Sequence, residues 1–199
     1  MRRFLFATAL AALPALPALA DPIPLSDLSG YLNDLRTAEA SFTQISDDGA
    51  IATGTLYIQR PGRMRFEYDD SELLVIAGGG QVAIFDDRAN SPPEQYPLRR
   101  TPLNLILARN VDLDRSGMIV AHEGDETATR IIAQDPEEPE IGHITLVFTD
   151  EPVELRQWIV TDSTGFETTV ILGGLEEAGN IPARYFNIPL ELRDRGISD

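Results

Sequence analysis

The stretch GTLYIQRPGRMRFEY, Gly54 to Tyr68, decides how the rest of the chain is read. It divides into two β-strands at a Pro61-Gly62 corner, with Arg60 placed at that corner. The first strand sets Thr55 and Tyr57 against Leu56 and Ile58. The second sets Met64, Phe66 and Tyr68 against Arg65 and Glu67. Successive side chains of a strand point to opposite faces, so this alternation gives a sheet one apolar face. On the second strand that face holds a thioether and two aromatics. Such side chains pack a core, and they also line a cavity that must fit irregular apolar ligands.

The same pattern continues on both sides of the corner. Upstream, residues 40–46 read as a strand with Phe42 on one face, and Asp47-Asp48-Gly49 reads as the hairpin turn into a strand over 51–59. Downstream, strands are expected at 73–77 and 81–85, joined by Gly78-Gly79-Gly80. That triplet lacks the lysine, the serine or threonine and the helix start of a phosphate-binding loop, so it is read as a turn. Further strands are expected at 118–122, 127–133, 143–148, 155–161 and 166–172. The acidic stretch DPEEPE, Asp135 to Glu140, reads as a solvated hairpin tip.

Three helical stretches punctuate the strands. Residues 27–36 carry Leu28, Leu32 and Leu35 at helical spacing, with Tyr31 beside them, Leu25 just before and Ser26 as candidate N-cap. Thr101-Pro102 has the chemistry of a helix start, and Leu103, Leu105, Ile106 and Leu107 make the short helix after it apolar nearly all round. Such a helix must be covered on more than one side. A brief helical turn is expected near 182–186. The tally is a mainly β, α+β chain of about ten to eleven antiparallel strands, long enough to curl, with helices gathered on one face.

Composition narrows the setting. Arg2-Arg3, an apolar run over 4–13 and Ala18-Leu19-Ala20 have the form of a cleaved export signal, giving a 1–20 leader and a single domain over 21–199. The apolar run is shorter than the ~20 residues a bilayer requires, so an exported, soluble, periplasmic protein is expected. The export route is general or, less in keeping with the residues, twin-arginine. With no cysteine there is neither a disulfide nor a lipid-modified N-terminus. Acidic residues outnumber basic ones 32 to 16, and every basic residue is arginine. Losing Arg2 and Arg3 takes the formal charge from −16 to −18, which gives no footprint for nucleic acid.

No catalytic constellation emerges. His122 and His143 lack metal-ligand spacing. No Gly-x-Ser-x-Gly occurs, and the pairs Asp47-Asp48, Asp69-Asp70 and Asp86-Asp87 fall at turns, where aspartate is favoured for backbone reasons. A non-enzyme without metal or cofactor is expected.

Several pieces in order resemble the LolA family of periplasmic carriers of outer-membrane lipoproteins. They are Ala40-x-Phe42-Thr43-Gln44 after a leucine-striped helix, Gly54-x-Leu56-x-x-x-Arg60-Pro61, Thr101-Pro102-x-x-x-Ile106 to Arg109-Asn110, and Asp162-x-x-Gly165. The resemblance implies a half-open antiparallel β-barrel around an apolar cavity, closed by a lid of short helices. It implies that Arg60 hydrogen-bonds lid backbone and holds the empty carrier shut. Under it, Met64, Phe66 and Tyr68 are expected to line the cavity, with Leu74 and Ile76 added if the register holds, and Leu28, Leu32, Leu105 and Ile106 to belong to the lid. Its implied partners are triacylated lipoproteins, an inner-membrane ATP-driven transporter that releases them, and an outer-membrane acceptor, with the carrier itself a monomer. The alternative is an envelope module of the same fold that senses lipids or lipoproteins without transporting them.

Overall fold

The structure is a computed structural model, and it describes residues 21–89, 91–115 and 117–197. The expected 1–20 leader lies outside the described residues. After a helix, α1 (Leu25–Asp34), strands β1 (Thr37–Ser46), β2 (Ile51–Gln59), β3 (Arg63–Tyr68), β4 (Leu74–Gly78), β5 (Gln81–Phe85) and β6 (Glu94–Pro97) follow as a meander. A short helix α2 (Asn104–Leu107) then crosses to β7 (Ile119–Gly124), β8 (Thr129–Gln134), β9 (Gly142–Thr149), β10 (Glu154–Asp162), β11 (Glu167–Leu172) and the two-residue β12 (Glu176–Glu177). The chain closes with α3 (Ile188–Asp194).

All twelve strands form one antiparallel sheet in the order β6-β5-β4-β3-β2-β1-β11-β10-β9-β8-β7, with β12 added beside β1. β1 and β11 join the two meanders, pairing Phe42 with Leu172 and Gln44 with Val170. The sheet does not close, because β6 and β7 remain its edges. It does curl. Val82 on β5 and Ile131 and Ala133 on β8, far apart in strand order, share one buried cluster with Leu28 and Leu32 of α1. A flat sheet could not bring those strands to the same core.

The two edges differ. β6 is short and follows Pro92 and Pro93, with Pro97 inside it, and proline cannot donate to a further strand. β7 has no proline and exposes Val120. The strands beyond the expected number are β6 and β12, whose Glu94-Gln95-Tyr96-Pro97 and Glu176-Glu177 carry no apolar alternation.

Both expected N-caps fall elsewhere. α1 begins after Pro24, whose carbonyl accepts from the amides of Asp27 and Leu28, and the Ser26 hydroxyl binds Asp27. At Thr101 the hydroxyl turns back to the Leu98 carbonyl at 2.8 Å. Residues Leu98–Arg100 already form a 3-10 turn, so the α-helical part starts later, at Asn104. The helical turn expected near 182–186 is a 3-10 turn, Ala183–Phe186, and the arginine-rich tail after it folds into α3. Asn187 caps that helix by accepting from the Leu190 amide.

Candidate functional site

The corner in the opening stretch meets the helices. At the end of β2 the Arg60 amide donates to the Arg36 carbonyl at 2.8 Å, which fixes the end of α1's exit loop. The Arg60 guanidinium then reaches across: Nη2 donates to the Ala108 carbonyl at 2.6 Å, and to Asn33 Oδ1 at 3.4 Å. Gly62, at φ +71°, turns its amide to the Leu107 carbonyl at 2.8 Å. The C-terminal carbonyls of α2 are thus held by the β2–β3 corner. Helix ends leave such carbonyls unpaired, which makes them available to this kind of capture.

Asn33 completes the clasp. Its Nδ2 donates to the Val111 carbonyl at 2.8 Å, and its Oδ1 accepts from the Val111 amide at 2.9 Å. One turn earlier, Ser29 Oγ accepts from the Leu113 amide at 3.0 Å. On the other side of α1, the Tyr31 phenol accepts from the Leu155 amide at 3.1 Å, and its ring meets Phe148 edge-on at 5.9 Å. α1 and the segment 107–113 therefore form one hydrogen-bonded cover, tied to the sheet by Arg60. Asn33 and Ser29 were not anticipated as site residues. The available signal was two small polar residues set among Leu28, Tyr31 and Leu32, on a helix whose other side already faces water.

Arg60 is only 9 % exposed, and its Nε has no hydrogen-bond partner. Among the described residues no carboxylate pairs with it. Burial, and secondarily the charge of Arg36, push its guanidinium below the ordinary arginine range. A buried cation without a counterion is destabilising by several kcal/mol in general, while a charge-assisted hydrogen bond returns about 1.5–3 kcal/mol. The clasp is geometrically tight and energetically marginal.

Beneath the cover, Met64 and Phe66 point inward and are buried, with Leu28, Leu32 and Ile106 packed in the same cluster. Tyr68 is partly buried at the margin of that cluster. Its phenol donates to Gln44 Oε1 at 2.7 Å, and burial, opposed by that bond, pushes it up to about 12. The rings form a ladder: Tyr68 on Phe42 at 5.1 Å, Phe42 on Phe66 at 5.1 Å, and Phe66 on Trp158 at 6.3 Å, all edge-to-face. Leu105 sits at the rim. With Val111 and Met118 it lines a cavity of about 180 Å³ bordered by Asp135 and Glu137. The apolar interior is present and filled by the protein's own side chains, including Trp158, Leu146 and Ile144 from the second meander.

Leu74 and Ile76 do not belong to this interior. β3 pairs Met64 with Ala77 and Phe66 with Val75, so Val75 and Ala77 face inward. Leu74 and Ile76 face outward, into a second cluster with Ala83, Phe85, Ile188 and Leu192 beneath α3. Both faces of β4 are covered. A strand covered twice is apolar throughout, and its alternation says nothing of which side is inner. Arg65 and Glu67 share that outer face, where Arg65 bonds Glu67 and the Tyr185 carbonyl.

Other expected chemistry falls into structural roles. His122 Nε2 lies 2.9 Å from the Ile23 carbonyl and helps moor the residues before α1. No cluster of metal-binding side chains occurs among the described residues, and no helix there is long and apolar enough to cross a membrane.

An unclosed, curled antiparallel sheet whose apolar face lies under short helices, with an arginine holding those helices by their backbone, defines a lidded half-barrel. The family model described as outer membrane lipoprotein carrier protein LolA matches residues 33–189, and the chain belongs to the LolA family. The chain is similar to an outer-membrane lipoprotein carrier protein of Pseudomonas paraeruginosa, 25 % identical over 92 % of each chain. It is similar to one from Methylococcus capsulatus, 24 % identical over 84 % of each. Among solved structures, a LolA superfamily protein from Nitrosomonas europaea aligns at TM-score 0.44 and 7 % identity, covering 84 % of this chain and 99 % of that one.

Proposed function

We propose that this protein is a periplasmic carrier that takes up the acyl chains of lipoproteins released from the inner membrane and delivers them to an outer-membrane acceptor. The observation that carries the reading is the Arg60 clasp at 2.6 Å on the Ala108 carbonyl, over an interior lined by Met64, Phe66 and Trp158. Family membership and the names of the two bacterial relatives support it. In this reading residues 21–199 act as one exported domain and as a monomer. Arg60 is the latch. Leu28, Leu32, Leu105 and Ile106 move with the lid, and Met64, Phe66 and Tyr68 re-pack around the incoming chain.

The energetics assign the work. Moving an alkyl chain out of water is favourable by ~0.8 kcal/mol per CH₂. Moving it from a bilayer to an equally apolar cavity has almost no such drive. Loading therefore rests on an ATP-driven transporter, and unloading on an acceptor with a better cavity. The carrier's contribution is a lid that opens at little cost. When the lid swings away, it loses the Ala108 bond and hydrates a cation that was buried without a counterion. Those two terms oppose one another, so the Arg60 contact itself adds little to the cost of opening, and the rest of that cost lies in the Asn33, Ser29 and Gly62 bonds.

Mass spectrometry of material co-purified from the native envelope tests the carriage: triacylated lipoprotein, transferable to outer-membrane vesicles, is expected. Stable binding to a regulatory protein with no acylated cargo would instead establish the sensing module. For the latch, Arg60→Leu should still load lipoprotein but deliver it more slowly, by up to about tenfold, because the cost of burying the cation offsets part of its bond to Ala108. Loading and delivery at the normal rate would remove Arg60 from the mechanism.

A further inference from the structure

The inner face has a second opening, at the end remote from the clasp. From Ala52 in β2 to Arg60, just past the end of that strand, the chain advances eight residues, a distance of ~26 Å at ~3.3 Å per residue. At the Ala52 end a cavity of about 540 Å³ lies between the β1–β2 hairpin and the β3–β4 turn, lined among others by Gln44, Ile51, Ala52, Tyr68 and Leu73. Gln44, Ala52 and Tyr68 are in register with Phe42, Leu56 and Phe66, so the cavity opens onto the inner face of the sheet. Its inner wall is the hydrogen-bonded pair Tyr68–Gln44.

We propose that this cavity is an entry port for a single alkyl chain with an uncharged neck, and that Tyr68, Gln44 and the Phe42 ring form its door. The inference rests on the carrier reading above and adds where the chain enters and which neck chemistry is accepted.

Three features carry it. The first is continuity, because the aromatic ladder runs from Tyr68 at the port through Phe42 and Phe66 to Trp158 in the interior. The second is Gly54. A Cβ there would stand 2.7 Å from the Phe42 ring and would collide with the Glu67 carbonyl. With glycine, the space over β2 behind the port is filled by the Phe42 ring of the neighbouring strand instead of by a side chain of β2 itself. The third is charge. The turns at the rim carry Asp47, Asp48, Asp69 and Asp70, and the cavity's arginine, Arg88, is already paired with Asp86. Carboxylates there repel a fatty acid anion or a lipid phosphate, and admit an amide- or ester-linked chain. The volume equals ~18 water-sized units of ~30 Å³, room for one chain and too little for three.

The test uses two fluorescent probes on the whole mature chain, a neutral dansyl dodecylamide and the dansyl undecanoate anion. Wild type should bind the neutral probe at least tenfold more tightly than the anion. Ala52→Trp plugs the port and should weaken neutral-probe binding at least tenfold, while Ile171→Trp, on the outer face, should leave it unchanged. Tyr68→Phe frees the door without adding bulk, and should speed probe association about two- to tenfold. Unimpaired binding by Ala52→Trp together with an unchanged association rate in Tyr68→Phe overturns the port while leaving carriage intact. Equal binding of anion and amide overturns the neck preference. If wild type binds neither probe nor a triacylated lipopeptide, the carrier reading fails and takes the port with it.

Discussion

Replacing Asn33 with alanine isolates the cover from the rest of the fold. The substitution removes two well-formed hydrogen bonds to Val111, at 2.8 and 2.9 Å, and the weaker one from Arg60 at 3.4 Å. At about 0.5–1.5 kcal/mol net for each good bond, closure loses roughly 1–3 kcal/mol. That corresponds to a 5- to 150-fold rise in the open population. Hydrogen exchange reads it at two amides the substitution does not touch: Gly62, which donates to Leu107, and Leu113, which donates to Ser29. Both should exchange faster by that factor. Amides of β9, paired with β8 and β10, should be unchanged, since none of their bonds involves the cover. If the β9 amides accelerate as much as Gly62 and Leu113, the cover does not open separately and the lid is part of one cooperative core. Unchanged exchange at Gly62 and Leu113 would show that Asn33 holds nothing shut.

Three other perturbations probe the surrounding framework. Gly54→Ala drives a methyl into the Glu67 carbonyl and the Phe42 ring, and should cost about 1–3 kcal/mol; an unchanged melting temperature would refute the close packing. Ile76→Ala empties a site beneath α3 and should cost about 2–5 kcal/mol in denaturant unfolding. It should leave neutral-probe affinity intact, and a loss of affinity would place Ile76 back in the interior. Burial raises the Tyr68 phenol from 10.0 to about 12, so the fold favours its neutral form. That contribution, about 2–3 kcal/mol, is whole below pH ~10 and is lost as pH rises through ~12. Tyr68→Phe should flatten this part of the alkaline unfolding curve, and an unaltered slope would count against it.

How far the chain could be read in advance depended on how each segment is covered. Around Gly54 to Tyr68 one face is apolar and buried and the other polar and half-buried, so the alternation identified both strands and their inward residues Met64 and Phe66. Leu74 and Ile76 were misplaced because α3 covers the back of β4, and a two-sided strand hides its polarity. The helix responsible was itself obscured: Asn187-Ile188-Pro189 starts it with a cap and a proline, yet the arginines and aspartates after it resemble a solvated tail. Arg60 stood out only through the family resemblance, since an arginine at a strand end is ordinarily a solvated charge. Asn33 was beyond reach, because its partners lie at Val111, a separation in sequence that only the curled sheet brings together.

Strand edges decide what happens when many copies meet. A ladder that lengthens indefinitely needs two unpaired borders per molecule, one for each neighbour. Here Pro92, Pro93 and Pro97 deaden one border, and only the β7 side can still recruit. Backbone-to-backbone association of this folded form therefore stops at a pair. A half-barrel that stays unclosed is protected from fibrous self-assembly by three proline rings, two just before β6 and one at its end.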